Sequence, residues 1–94
     1  MVYRNTLEII GNILEVTGEY GLEGANASRL LTRANLSYKT YLGFVSKLLD
    51  TGLLKEVFLV DGTKAFILTE KGRNYLNKYG EFESVLSSIG LIEN

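Results

Sequence analysis

Residues 34–62 read ANLSYKTYLGFVSKLLDTGLLKEVFLVDG. A turn, a whole helix and a hairpin are legible in them. Ala34-Asn35-Leu36 is a tight turn, and Ser37 carries the side chain of a helix N-cap. Behind it Tyr38, Tyr41, Leu42, Val45, Leu48 and Leu49 recur at steps of three and four, the stripe of a helix that buries one face. Gly52 stands just past the stripe, where a left-handed C-cap belongs. Two β-type runs follow, Leu53 to Val60 and Thr63 to Leu68. Asp61-Gly62 lies between them and is expected to form a two-residue hairpin turn, since both turn positions need positive φ.

Outward from this stretch the pattern stays helical. Tyr3, Leu7, Ile10, Ile13 and Leu14 predict a first helix over 3–17. Thr17-Gly18 and Gly21 to Gly24 break it into a glycine-rich loop. Asn26 or Ser28 can cap a short second helix through Leu30 and Leu31 to about Arg33. Thr69 caps a fourth helix that runs to about Ile89, with Glu70 complementing its dipole. The order helix, helix, helix, hairpin, helix is the winged variant of helix-turn-helix. The expected fold is α+β and mostly helical. Residues 1–68 form three helices and a β-hairpin wing, and residues 69–94 form a C-terminal helix. Tyr41, Phe58 and Phe66 are assigned to the core.

The composition narrows the function. Ninety-four residues make one small domain, 46% hydrophobic and 22% charged, with a marginal core that association would reinforce. Without cysteine there is neither a disulfide framework nor a thiolate metal site, and without histidine the commonest general base and metal ligand are missing. No Gly-rich phosphate loop appears, and the acids are scattered. An enzyme is therefore not expected, and no catalytic residue, metal or cofactor is assigned. No run approaches a membrane span or a signal peptide, so the chain reads as soluble and cytoplasmic.

The net charge of −1 hides a segregation. Residues 24–49 hold Arg29, Arg33, Lys39 and Lys47 and no acid, which sums to +4. Residues 1–23 set Arg4 against Glu8, Glu15, Glu19 and Glu23, which sums to −3. A nearly neutral chain can build one positive face in this way. On the third helix the side opposite the apolar stripe presents Lys39, Thr40, Gly43, Ser46 and Lys47, small, polar and basic until Asp50. Such a face fits a major groove: lysines neutralise phosphates and hydroxyls bond phosphate or base edges. Ser37 and Tyr38 open the same helix and join the candidate contacts. Gly43 costs about 1 kcal/mol against alanine in mid-helix; a close approach by a partner backbone would explain that cost, and a neutral surface glycine is the equal alternative. Arg29 and Arg33, four apart, are expected to grip phosphates beside the groove. Lys64 stands near the hairpin tip, where Asp61 repels phosphate and makes the wing a weak reader.

In the last helix Gly72, Tyr75, Tyr79, Phe82, Leu86 and Ile89 step by three and four, an a/d seam over about two and a half heptads. Its first turns can cover the core. From Tyr79 onward a straight helix runs past it, so a second copy of the same helix is the expected cover. Tyr75, Tyr79, Phe82, Leu86 and Ile89 are the candidate dimer contacts.

Three segments carry a family likeness: Ala34-Asn35-Leu36-Ser37-Tyr38, Leu48-Leu49-Asp50-Thr51-Gly52-Leu53-Leu54, and Leu68-Thr69-Glu70-Lys71-Gly72-Arg73-Asn74-Tyr75-Leu76. With them the chain resembles the small archaeal winged-helix DNA-binding proteins that dimerise through a C-terminal coiled-coil helix. The resemblance implies double-stranded DNA binding, a chromatin or regulatory role, and a homodimer with antiparallel helices. The slightly acidic charge favours a specific regulator over bulk packaging. It also keeps a second reading in play, a winged helix used for protein-protein contact within a larger assembly.

Overall fold

The computed structural model describes residues 6–90. Tyr3 and Arg4, which enter the expected first helix and the charge pattern, lie outside the described residues. The chain runs α1 (Thr6–Glu19), a 3₁₀ turn (Gly21–Glu23), α2 (Ala27–Arg33), α3 (Tyr38–Asp50), β1 (Leu54–Phe58), β2 (Lys64–Leu68) and α4 (Glu70–Ser88). This is the expected order, with α1 extending two residues further than the pattern indicates.

Three helices start on the caps read from sequence. Asn26 Oδ1 accepts the Arg29 N–H at 2.9 Å, Ser37 Oγ the Thr40 N–H at 3.2 Å and Thr69 Oγ1 the Gly72 N–H at 3.0 Å. Of the two candidates for α2, Asn26 is therefore the cap. The exits of α2 and α3 use one device. Asn35 (φ 54°) and Gly52 (φ 79°) turn left-handed, and the next N–H reaches back five residues, Leu36 to Leu31 and Leu53 to Leu48. These are Schellman caps, and they satisfy carbonyls the helices leave open.

The hairpin pairs Leu54 with Leu68 and Phe58 with Lys64 in an antiparallel register. Its turn differs from the expected two-residue form. Gly62 N–H bonds to Leu59 C=O, Leu59 N–H bonds to Thr63 C=O, and only Gly62 takes positive φ, 85°. Asp61 avoids the left-handed region because a three-residue loop with one left-handed glycine closes the same strands at less backbone cost. Ala25 adds a short third rung through paired backbone bonds with Phe66, 2.8 and 2.9 Å.

Ile13, Leu14, Leu30, Tyr41, Val45, Leu48, Leu54 and Phe66 form the core between α1, α2, α3 and the hairpin. Buried Thr17 donates to Ile13 C=O one turn back, at 2.7 Å, so its hydroxyl is satisfied. Two core assignments are corrected. Phe58, at the end of β1, is exposed, because the strand has run beyond the helices by that point. Leu42 is exposed and Phe44 packs on the core instead. The two are about 200° apart on a helix, so a single core cannot take both.

The start of α4 is bound to the end of α3. Thr69 Oγ1 donates to Gly52 C=O at 2.6 Å, and Lys71 Nζ donates to Thr51 C=O at 2.7 Å. Gly72 is buried against the Leu53 carbonyl, with no room for a Cβ. Its glycine is explained by this crossing rather than by a place in a coiled-coil seam.

Candidate nucleic-acid interface

The exposed side of α3 carries Tyr38, Lys39, Leu42, Gly43, Ser46, Lys47 and Asp50. Tyr41, Val45 and Leu48 fix the opposite side in the core, so the orientation of this face is set by packing. Lys39, Gly43 and Ser46 follow its midline at helical spacing, with Lys47 on one shoulder and Leu42 on the other. Among the described residues nothing lies within 4 Å of where a Gly43 Cβ would stand, so no contact with them requires glycine.

Ser37 and Thr40 differ from free surface hydroxyls. Ser37 Oγ donates to Thr40 Oγ1 at 2.9 Å while accepting the Thr40 N–H. Both are thus engaged at the helix start, and Thr40 is half-buried. Tyr38 is mostly exposed and stacks on buried Tyr41, with ring centroids 5.8 Å apart. Burial, then the nearby Tyr38 and Glu56, raises the Tyr41 phenol above its ordinary pKa.

The two arginines of α2 gather on Tyr20, a residue that no sequence pattern singles out. The Arg29 guanidinium sits 4.7 Å from the Tyr20 ring centre. Arg33 donates to Tyr20 Oη at 3.3 Å and to Glu19 Oε2 at 2.6 Å. The Tyr20 hydroxyl and then the Glu19 carboxylate push its pKa up from an already high value, so it stays a cation. Arg33 therefore turns toward α1, in a polar cleft of about 320 Å³ shared with Asn12, Glu15 and Glu19. The two arginines share one patch, as their spacing implies, but an acid of the chain itself already answers Arg33.

On the wing, Lys64 pairs with Glu56 at 3.7 Å. It lines a groove between α3 and the hairpin together with Leu42, Ser46 and Phe66. Val60 is fully exposed at the tip. Asp61 accepts the Thr63 N–H at 2.9 Å, and hydrogen bonds from Thr63 hold its carboxyl below the usual range, so the tip keeps its negative charge.

Along α4, Tyr75 and Leu76 pack on the core. Tyr79 is half-buried and lays its ring on α1 at Gly11, where an added Cβ would stand 3.0 Å from Cε1. The uncovered strip therefore starts one turn later than expected, because a glycine lets the two helices come close enough to reach Tyr79. Beyond it Phe82, Val85 and Ile89 are 54%, 55% and 62% exposed, and Leu86 is half-buried. Val85 belongs to this strip although the heptad seam passes over it; it stands three residues after Phe82 and four before Ile89.

Among the described residues no group of acidic, histidine or cysteine side chains is placed to hold a metal, and no helix is long and apolar enough to cross a membrane. Three helices, a hairpin wing and an outward, acid-poor face on α3 define a winged helix. The chain belongs to the winged helix-turn-helix family, whose model matches residues 3–87. No curated protein matches it. Among solved structures it is similar to Sso10a-2, a DNA-binding protein from Sulfolobus solfataricus, at 24% identity and TM-score 0.75, over 92% of this chain and 85% of that one. It is also similar to the transcriptional regulator BldR from Sulfolobus solfataricus, at 23% identity and TM-score 0.72, over 92% and 63%. A third similar structure is a single-residue mutant of MepR from a multidrug-resistant S. aureus clinical isolate, at 17% identity and TM-score 0.67, over 85% and 62%. At these identities the likeness is one of fold.

Proposed function

We propose that this chain binds double-stranded DNA with α3 in the major groove and regulates transcription or organises chromatin, with no enzymatic activity. The observation that carries the reading is the open face of α3. Lys39, Gly43, Ser46 and Lys47 face solvent on a rigid element, with no acid before Asp50. Two of the similar folds belong to a DNA-binding protein and a transcriptional regulator, which supports it. Arg29 and Arg33 add sequence-independent phosphate contacts, and Lys64 approaches from the wing.

The second half of α4 supplies a homodimer contact through Phe82, Val85, Leu86 and Ile89, most naturally with antiparallel helices. Four apolar side chains in one strip on a helix that has left its own core call for cover. Two linked domains would also bind two half-sites, so weak single-domain affinity is multiplied by proximity.

Duplex binding measured against salt concentration tests both parts. Wild type should bind at low salt and release at moderate salt, as phosphate contacts dictate. Phe82→Asp with Leu86→Asp should sediment as a folded monomer and bind far more weakly. A wild-type monomer at tens of micromolar would remove the dimer. Failure to bind any duplex at low salt would favour the protein-contact reading, which the net charge of −1 and the exposed Phe58 and Val60 of the wing support.

A further inference from the structure

The open face of α3 is not wholly polar. Leu42 is 49% exposed and shares the face with Lys39, Gly43 and Ser46. On its hairpin side it lines a groove of about 190 Å³ with Val45, Ser46, Leu49, Lys64 and Phe66. A single surface leucine is ordinary. This one stands beside a glycine with open space over it, on the acid-poor side of the helix, while Phe44, about 200° round the axis, packs on the core. About half of its surface is thus open to solvent, next to the bare backbone at Gly43.

The edges of base pairs in the major groove are donors and acceptors, with one apolar exception, the C5 methyl of thymine. Lysines cannot tell one base pair from another by charge on phosphates, and Ser46 can bond to several base edges. Leu42 is the aliphatic side chain on this face, and the group such a side chain can cover in the groove is the thymine methyl. Resting on the DNA-binding reading above, we infer that Leu42 is a specificity-determining residue that packs on a thymine C5 methyl. The chain then prefers duplexes with an A·T pair beneath Leu42. Lys39 and Lys47 hold the register on phosphates, and the bare backbone at Gly43 lets the helix sit deep enough for the contact.

The test compares an alternating A·T duplex with its counterpart in which deoxyuridine replaces thymine, which removes the methyl and keeps every donor and acceptor. Binding is followed by fluorescence anisotropy for wild type and for Leu42→Ala, a half-exposed position whose truncation leaves the core intact. Wild type should lose about fourfold in affinity for each contacted methyl, the value of one buried carbon group. Leu42→Ala should bind the two duplexes equally, near the wild-type level on the uracil duplex. Equal wild-type binding to both duplexes would overturn the inference and leave DNA binding standing. So would an unchanged uracil penalty in Leu42→Ala, since the preference would then come from duplex shape. Binding to neither duplex at low salt is a separate result, and it defeats the DNA reading itself.

Discussion

The ring of Tyr79 lies flush on Gly11, across the contact between α4 and α1. Both residues sit far from the helix caps and from the hairpin, so this contact sets how closely the last helix follows its domain. Any side chain at position 11 must displace the ring. Gly11→Leu should lower stability by about 1–3 kcal/mol through overpacking, which for a domain of this size is roughly 4–8 °C of Tm per kcal/mol. Thermal unfolding by circular dichroism checks this. An unchanged Tm would mean that α4 can swing away without cost.

Lys39 and Lys47 bracket the open face of α3. Replacing both with alanine should weaken duplex binding and make the dependence of log affinity on log salt shallower by up to about two units. Neither lysine makes an ion pair within 4 Å among the described residues, so the melting curve should not move. An unchanged slope with the fold intact would place the phosphate contacts elsewhere.

Gly43 separates packing from binding. With none of the described residues within 4 Å of its Cβ position, Gly43→Ala should stabilise the isolated protein by about 1 kcal/mol, the helix-propensity difference. If the backbone there approaches DNA closely, the same change should reduce affinity. A variant that is more stable and binds equally well would show that position 43 is plain surface.

Arg33 and Glu19 form an exposed pair, with side chains 51% and 44% accessible, so its strength in water is modest. Glu19→Gln should leave stability nearly unchanged and raise affinity for specific and random duplexes alike, by freeing Arg33 for phosphate. Arg29→Gln with Arg33→Gln should lower both alike. A change confined to one sequence, seen in parallel titrations, would show that α2 reads bases.

The parts of this fold written in short-range chemistry are legible in the sequence. Asn26, Ser37 and Thr69 are caps because a short polar side chain can reach its own helix N-terminus, which needs no knowledge of the rest of the chain. The turn into α3 and the hairpin follow for the same reason. What escapes depends on which of two equivalent neighbours the core selects. Leu42 and Phe44 are both apolar, and only the position of α1 and the hairpin decides that Phe44 goes inward. Tyr20 is invisible as a partner for Arg29 and Arg33 because it lies across a loop from them. Gly11 does leave a trace, a glycine inside the apolar stripe of α1 between Ile10 and Leu14, where a close helix contact is the physical reason for a missing side chain.

Thr69 joins what a list of elements separates. One hydroxyl accepts the Gly72 N–H of α4 and donates to the Gly52 carbonyl at the exit of α3, with Lys71 tied to Thr51 alongside. The helix rooted there has 19 residues, which makes a lever about 28 Å long. Whatever tilts its far end acts at its root on the last turn of α3, not on a loose tether. Adding or deleting a single residue beyond the root would turn the far apolar strip by about 100° around the axis, so the phase of the lever, as well as its length, is fixed by this joint.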